Sequence, residues 1–356
     1  MSDRTTIFLA LALLNAASLS NAQTDGYQFN DSHFHLTNYI QEGPSLRAFL
    51  DIMGTTTGRV ALFGIPLQQQ WSYRVSGDHP PSYYLNTDAP LYYYSFTDAY
   101  IAMAYKSLSK EDQARFDPMI TGFNPTDMYA ADHVRRVLQT FPGVFSGIGE
   151  FTIHKEFVSS KVAGEVASLN DPALDRLLDF AAEVGLVALI HNDIDVPFPK
   201  EEAPPAYLEQ MRALLKRHPK TTIIWAHTGL GRVIRPKNHA EALESILHDP
   251  QFAHVYFDIS WDEVAKYVVD GSAPQHISAE LIKRYPDRFV FGTDEVAPPN
   301  EQQYRRVYFQ YGPLWNLLDE STSKKVRKGN YERLFDEARR KVRSWEATHV
   351  KAEKGP

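Results

Sequence analysis

Leu186-Val187-Ala188-Leu189-Ile190-His191 is an unbroken apolar run that ends in a histidine, and Thr222-Ile223-Ile224-Trp225-Ala226-His227 repeats the pattern. A strand with one wet face alternates apolar and polar residues. Runs apolar at every position belong to strands buried on both faces, as in a parallel sheet covered by helices. The histidine that closes each run then sits at the strand's C-terminal end, where parallel α/β folds place their chemistry.

Working outward, similar runs give eight predicted strands: Gln28 to His33, Arg59 to Ile65, Asp117 to Phe123, Val144 to Glu150, Leu186 to His191, Thr222 to His227, Val255 to Ser260 and Arg288 to Asp294. Amphipathic helical patterns separate them. Asp171-Pro172 opens one that runs to Val184, with Asp at the N-cap, Pro at the first helical position and Gly185 as the stop. Pro204 to His218 reads the same way, ended by Pro219. Eight alternations predict an α/β chain folded as a (β/α)8, TIM-type barrel. An open doubly wound sheet is the alternative, but no glycine-rich phosphate loop follows an early strand.

The chain has 356 residues, and barrels of this kind use about 250 as one domain. A single barrel domain is therefore expected over residues 23–356. At the N-terminus, Arg4, the apolar stretch Ile7 to Leu14 and the small residues Ser20-Asn21-Ala22 follow the order of a signal peptide over residues 1–22. Export to a periplasmic or extracellular space is expected. The stretch is too short to span a bilayer. A net charge of −7 points to neither nucleic acid nor an anionic membrane as partner. With no cysteine, disulfides, thiolate ligands and a cysteine nucleophile are excluded.

Two additions to the barrel are expected. Residues 68–110, after the second strand, are too long for an ordinary loop and carry Trp71, Tyr73, Tyr83, Tyr84, Tyr92, Tyr93, Tyr94, Phe96, Tyr100 and Tyr105. This segment is read as a lid or pocket wall, with Trp71 and Tyr73 against substrate. An aromatic contact in a homodimer is the competing reading. Residues 300–356 are read as C-terminal packing helices.

His33 and His35 alternate around Phe34, so on a strand both imidazoles face one side. His191 and His227 end two later strands, and Glu150 and Asp294 end the fourth and eighth. One histidine closing a strand is ordinary packing. Four histidines and two carboxylates at the same end of a barrel suit a divalent metal with a position left for water. Arg232 is a candidate for a substrate carboxylate, a structural salt bridge being the alternative. His154 is a secondary candidate for the pocket. His133, His239 and His248 are read as surface residues of helices, and Asp262 and Glu263 as caps of the helix after the seventh strand.

Asp31-Ser32-His33-Phe34-His35, Ile190-His191, Ala226-His227-Thr228-Gly229 and Gly292-Thr293-Asp294 together resemble the amidohydrolase superfamily, in the amidohydrolase-related branch that holds aminocarboxymuconate-semialdehyde decarboxylase. The resemblance runs from the first strand to the eighth. It implies that His33, His35, His191 and Asp294 are metal ligands and that His227 is an acid or base beside them. Glu150 in Gly147-Ile148-Gly149-Glu150 is similar to the fourth-strand glutamate of TatD-type hydrolases, which can help hold a second ion. One ion, zinc for preference, is expected, with Glu150 either binding it or orienting a ligand.

The expected activity is metal-dependent hydrolysis of an ester, lactone or amide-like bond in a small organic substrate. Asp294 would accept a proton from water, and His227 would polarise the carbonyl or protonate the leaving group. Non-oxidative decarboxylation of an aromatic or unsaturated acid is the second expectation, and a non-catalytic binding protein on a barrel scaffold the third. A nuclease is disfavoured by the acidic balance.

Overall fold

The structure is a computed structural model, and it describes residues 26–38, 42–65, 78, 96–156, 167–200 and 203–350. Its strands are β1 (Phe29–His35), β2 (Thr57–Phe63), β3 (Phe116–Ile120), β4 (Gly147–Thr152), β5 (Val187–His191), β6 (Thr222–Trp225), β7 (Val255–Asp258), β8 (Phe289–Val290) and β9 (Glu295–Val296). All pair in parallel in the order β8-β7-β6-β5-β4-β3-β2-β1-β9.

Of the eighth strand foreseen over Arg288 to Asp294, only β8 is regular, and β9 follows just beyond its expected end. β8 pairs with β7, while β9 pairs with β1 through Phe34↔Glu295 and His35↔Val296. Between them, Ser32 N donates to Phe291 O at 3.0 Å and Asp294 N to His33 O at 2.7 Å, so the last strand meets the first and the barrel closes. The break falls at Gly292, where a Cβ would stand 2.7 Å from the Cβ of His33; only glycine lets the two strands approach here.

Among the described residues the α-helices of six residues or more are α1 (Leu46–Met53), α2 (Thr97–Lys106), α3 (Ala130–Thr140), α4 (Pro172–Val184), α5 (Leu208–Arg217), α6 (His239–Leu247), α7 (Asp262–Val269), α8 (Ser272–Arg284), α9 (Glu301–Gln310), α10 (Gly312–Leu317) and α11 (Asn330–His349). α4 begins and ends as its caps predict: Asp171 accepts from Ala173 N at 2.9 Å, and Gly185 takes φ 87°. α5 starts later than Pro204. Ala206 N donates to Asp195 Oδ1 and Tyr207 N to Ile194 O, both at 3.0 Å, which ties these residues to the loop after β5 before the helix can begin. The final part of the segment 68–110 forms α2, with Thr97, Asp98 and Ile101 buried against the barrel. Trp71, Tyr73, the other aromatics from Tyr83 to Tyr94, and residues 1–22 lie outside the described residues. Among the described residues no helix is long and apolar enough to cross a membrane.

Strand alternation sorts the apolar side chains into two layers. Val187, Leu189, Ile224, Ala226, Met119 and Val290 fill the barrel interior, while Ala188, Ile190, Ile223 and Trp225 pack outward under the helices. Tyr331, Leu334, Phe335 and Ala338 of α11 join the interior cluster. A buried polar knot holds that helix in place: Asp117 accepts from Arg59, from Arg339 at 2.6 Å and from Tyr331 at 2.8 Å.

Candidate metal and catalytic site

β1 delivers both its histidines to one side, as the alternation predicted. Phe34 points the other way and stacks on Phe49 at 4.0 Å between centroids. His33 Nδ1 lies 2.6 Å from Asp258 Oδ2, and His35 Nδ1 donates to Gly64 O at 2.9 Å. With each Nδ1 engaged, the Nε2 atoms are the ones that converge, at 3.1 Å and 3.0 Å from Asp294 Oδ1.

Glu150 joins the two halves of the cluster. Its Oε2 is 3.4 Å from His35 Nε2 and 3.8 Å from His33 Nε2, while Oε1 is 2.6 Å from His191 Nδ1 and 3.8 Å from His227 Nε2. His33, His35, Glu150, His191, His227 and Asp258 form three overlapping groups of metal-ligating type, all buried. Both nitrogens of His191 face carboxylates, Nε2 standing 3.2 Å from Asp193 Oδ1.

His227 is not the last residue of a regular strand. β6 ends at Trp225, and the chain then turns through left-handed His227 (φ 54°) and Thr228 (φ 56°). Asp294 (φ 53°) and Trp261 (φ 79°) share that unfavourable region. Non-glycine residues there cost roughly 1–3 kcal/mol each and collect where a side chain must be aimed. The turn brings His227 Nδ1 to 2.9 Å from Ser260 Oγ. Ser260 gives its single hydrogen to Asp258 Oδ1 at 2.5 Å, so it accepts from Nδ1–H of His227. The neutral ring therefore presents an unprotonated Nε2, which is buried without a hydrogen-bond partner.

Electrostatics divide the site. Burial opposes charge on His33, yet Asp294 and Asp258 beside it raise its pKa well above the usual value. Burial likewise works against ionisation of Asp294 and Glu150. His33 and hydrogen bonds from His33 and His35 nonetheless hold Asp294 well below the carboxylate range, and Lys155 and His191 do the same for Glu150. Burial pushes His227 and His191 down, so both rings are neutral near pH 7. Asp193 is pushed well up by burial and by the neighbouring Glu156.

Several participants escaped the sequence reading. Asp258 ends an apolar strand as Asp294 does, but the predicted strand ran on to Ser260 and hid it. Lys155 and Trp261 come from loops: Lys155 Nζ and Arg232 Cζ each lie 5.1 Å from the Trp261 ring, which itself stands 5.0 Å from His227 between centroids. Arg232 also has Glu263 at 3.8 Å. Asp262 and Glu263 stand within the first turn of α7 instead of capping it, the N-cap being Trp261. His154 stacks on Tyr207 at 3.8 Å, apart from the cluster. His239 departs from the surface reading: it is half-buried, with Nε2 2.8 Å from Thr228 O.

The sequence model of the amidohydrolase family matches residues 31–336, from the aspartate before His33 to the C-terminal helix. The chain belongs to the amidohydrolase family. No curated protein matches it. Solved structures of similar fold include a candidate 2-pyrone-4,6-dicarboxylic acid hydrolase of Pseudomonas putida (14% identity, TM-score 0.52, covering 87% of this chain and 98% of that one). A 2,6-dihydroxybenzoate decarboxylase from Rhizobium shares 12% identity with TM-score 0.53, over 87% of this chain and 99% of its own. A zinc-bound amidohydrolase from Burkholderia multivorans also shares 12% with TM-score 0.53, over 86% and 99%. At such identities the likeness shows a shared barrel. The amidohydrolase-related membership expected from the motifs stands with the family match.

Proposed function

We propose that this amidohydrolase-family enzyme hydrolyses an ester, lactone or amide-like bond of a small organic substrate with the help of one divalent metal, zinc for preference. The observation that carries the reading is the convergence of His33 Nε2 and His35 Nε2 on Asp294 Oδ1, beside the unpartnered Nε2 of His227. The donor set fits an ion: two buried imidazoles with Nδ1 fixed by a carboxylate and a carbonyl, and an ionised carboxylate within contact of both. Edges of about 3 Å suit ligand atoms each about 2.0–2.2 Å from a common ion. His33, His35 and Asp294 would hold it, with Glu150 binding or orienting, and His191 able to join by releasing Asp193. Such an ion supplies Lewis acidity, polarising a carbonyl and lowering the pKa of water from about 15.7 to about 7.

The chain's own groups do the rest. Asp294 Oδ2 takes one proton from the attacking water and passes it to the neutral His227 Nε2, 3.8 Å away, and His227 gives that proton to the leaving group. Ser260 and Asp258 keep the His227 ring in the required tautomer. Lys155 and Arg232, both against Trp261, offer positive charge to a carboxylate of the substrate. Trp71 and Tyr73 are proposed to complete the pocket from the segment after β2, and residues 1–22 to direct export, which N-terminal sequencing of the secreted protein tests.

Decarboxylation of an aromatic acid is the second reading. The cations flanking an indole favour it, and the Rhizobium neighbour of like fold carries out that chemistry. Product analysis on the zinc-loaded protein with lactones, esters and hydroxybenzoic acids decides. A new carboxylate with its alcohol or amine supports hydrolysis; carbon dioxide release overturns it in favour of decarboxylation.

A further inference from the structure

His227 and Ser260 meet on the inner side of the barrel wall, 2.9 Å apart. Their chain neighbours Thr228 and Ile259 line a different space. It is a half-open cavity of about 340 Å³ between α6, α7 and α8, with Ile259 and Phe289 of the barrel wall at its floor. The volume falls in the range of small-molecule sites, about 300–1,000 Å³. Most of the surface is apolar, from residues such as Leu243, Val268, Leu281 and Phe289.

The polar groups of the cavity are unevenly distributed. Arg235 and Lys237 are its cations against the single acid Glu241. Arg235 lies over the Tyr267 ring, Cζ 5.1 Å from its centroid, which leaves the edge of the guanidinium for hydrogen bonding. Burial pushes His239 down to about 4, so its ring is neutral at pH 7; Nε2–H donates to Thr228 O at 2.8 Å and Nδ1 is an acceptor. The back of the catalytic turn is thus bonded to a side chain of the cavity.

We propose that this cavity is a second binding site, for a small amphipathic carboxylic acid. Its hydrocarbon part lies among the apolar side chains of α6, α7 and α8, and its carboxylate faces Arg235. Through His239 and Thr228 the occupant bears on the turn that aims His227. The inference does not depend on which reaction the barrel mouth performs.

The test uses octanoate and the full zinc-loaded chain. Ala240→Trp from α6 and Ser278→Trp from α8 fill the cavity from opposite walls, both at half-buried helical positions. Calorimetry is expected to show a saturable octanoate site that both variants lose, while Arg235→Gln weakens it about tenfold. Hydrogen exchange of the segment 226–232 is expected to slow with octanoate in the wild type and not in the filled variants. Circular dichroism confirms that each variant is folded. Absence of saturable binding, or an isotherm unchanged in folded filled variants, overturns the proposal, the latter placing octanoate at the barrel mouth.

Discussion

Asp258 Oδ2 lies 2.6 Å from His33 Nδ1, and this contact decides which nitrogen of His33 faces the site. With Nδ1–H given to the carboxylate, Nε2 is the nitrogen left to face the site, 3.1 Å from Asp294 Oδ1, and an ion bound there would take the place of its proton. Partners of this kind typically change metal affinity roughly 10–100-fold when removed. Asp258→Asn is therefore expected to weaken zinc binding by that factor while leaving the melting temperature of the barrel little changed. Competition with a chelator of known affinity measures it; unchanged affinity would show that Asp258 serves packing alone.

His227 has a different fate. Its Nε2 moves protons in the proposed reaction, and its metal-binding neighbours do not need it for their own geometry. His227→Gln is expected to lower kcat roughly 10²–10⁴-fold with bound zinc retained. Loss of metal along with activity would instead place His227 among the ligands.

Stability rests on a separate buried knot. Asp117 neutralises Arg59 and Arg339, and Tyr331 donates to it as well. Burial alone would raise its pKa, but Arg339 and Arg59 keep it below the ordinary value. Asp117→Asn leaves the buried Arg59 with only the solvent-exposed Asp336, 2.6 Å away, as counter-charge, a loss of at most about 3–5 kcal/mol. Urea unfolding is expected to show this as a lower midpoint, with the metal site intact in the folded fraction.

His239 predicts an acid limb of stability. Its folded pKa is about 4, pushed down chiefly by burial, against about 6.5 in an unfolded chain. A depressed folded pKa means that the unfolded state takes up the proton first. The contribution is full above about pH 6.5 and is lost progressively as pH falls toward 4. His239→Gln keeps a donor for Thr228 O and removes the titration. The fall in urea midpoint between about pH 7 and pH 5 is expected to be smaller in the variant than in the wild type.

Much of this was visible in the sequence for a simple reason. Continuous apolar runs such as Val187-Ala188-Leu189-Ile190 leave no wet face, so parallel strands under helices were implied, and the residues ending those runs had to meet at one mouth. His33, His35, Glu150, His191, His227 and Asp294 do meet there. What stayed hidden depends on chain geometry beyond periodicity. The division of the last strand at Gly292 and the left-handed turn at His227-Thr228 are backbone events that no hydropathy pattern marks. Lys155 and Trp261 reach the site from irregular segments, where neither period 2 nor period 3.6 gives direction.

His33, His35 and Asp294 are proposed to hold a divalent ion. Elemental analysis of the untagged protein, stripped and reconstituted with zinc, tests it directly when run beside Asp294→Asn. About one tightly held equivalent per chain is expected in the wild type, with a clear loss in the folded variant. No retained metal in the wild type, or full retention in Asp294→Asn, would contradict it.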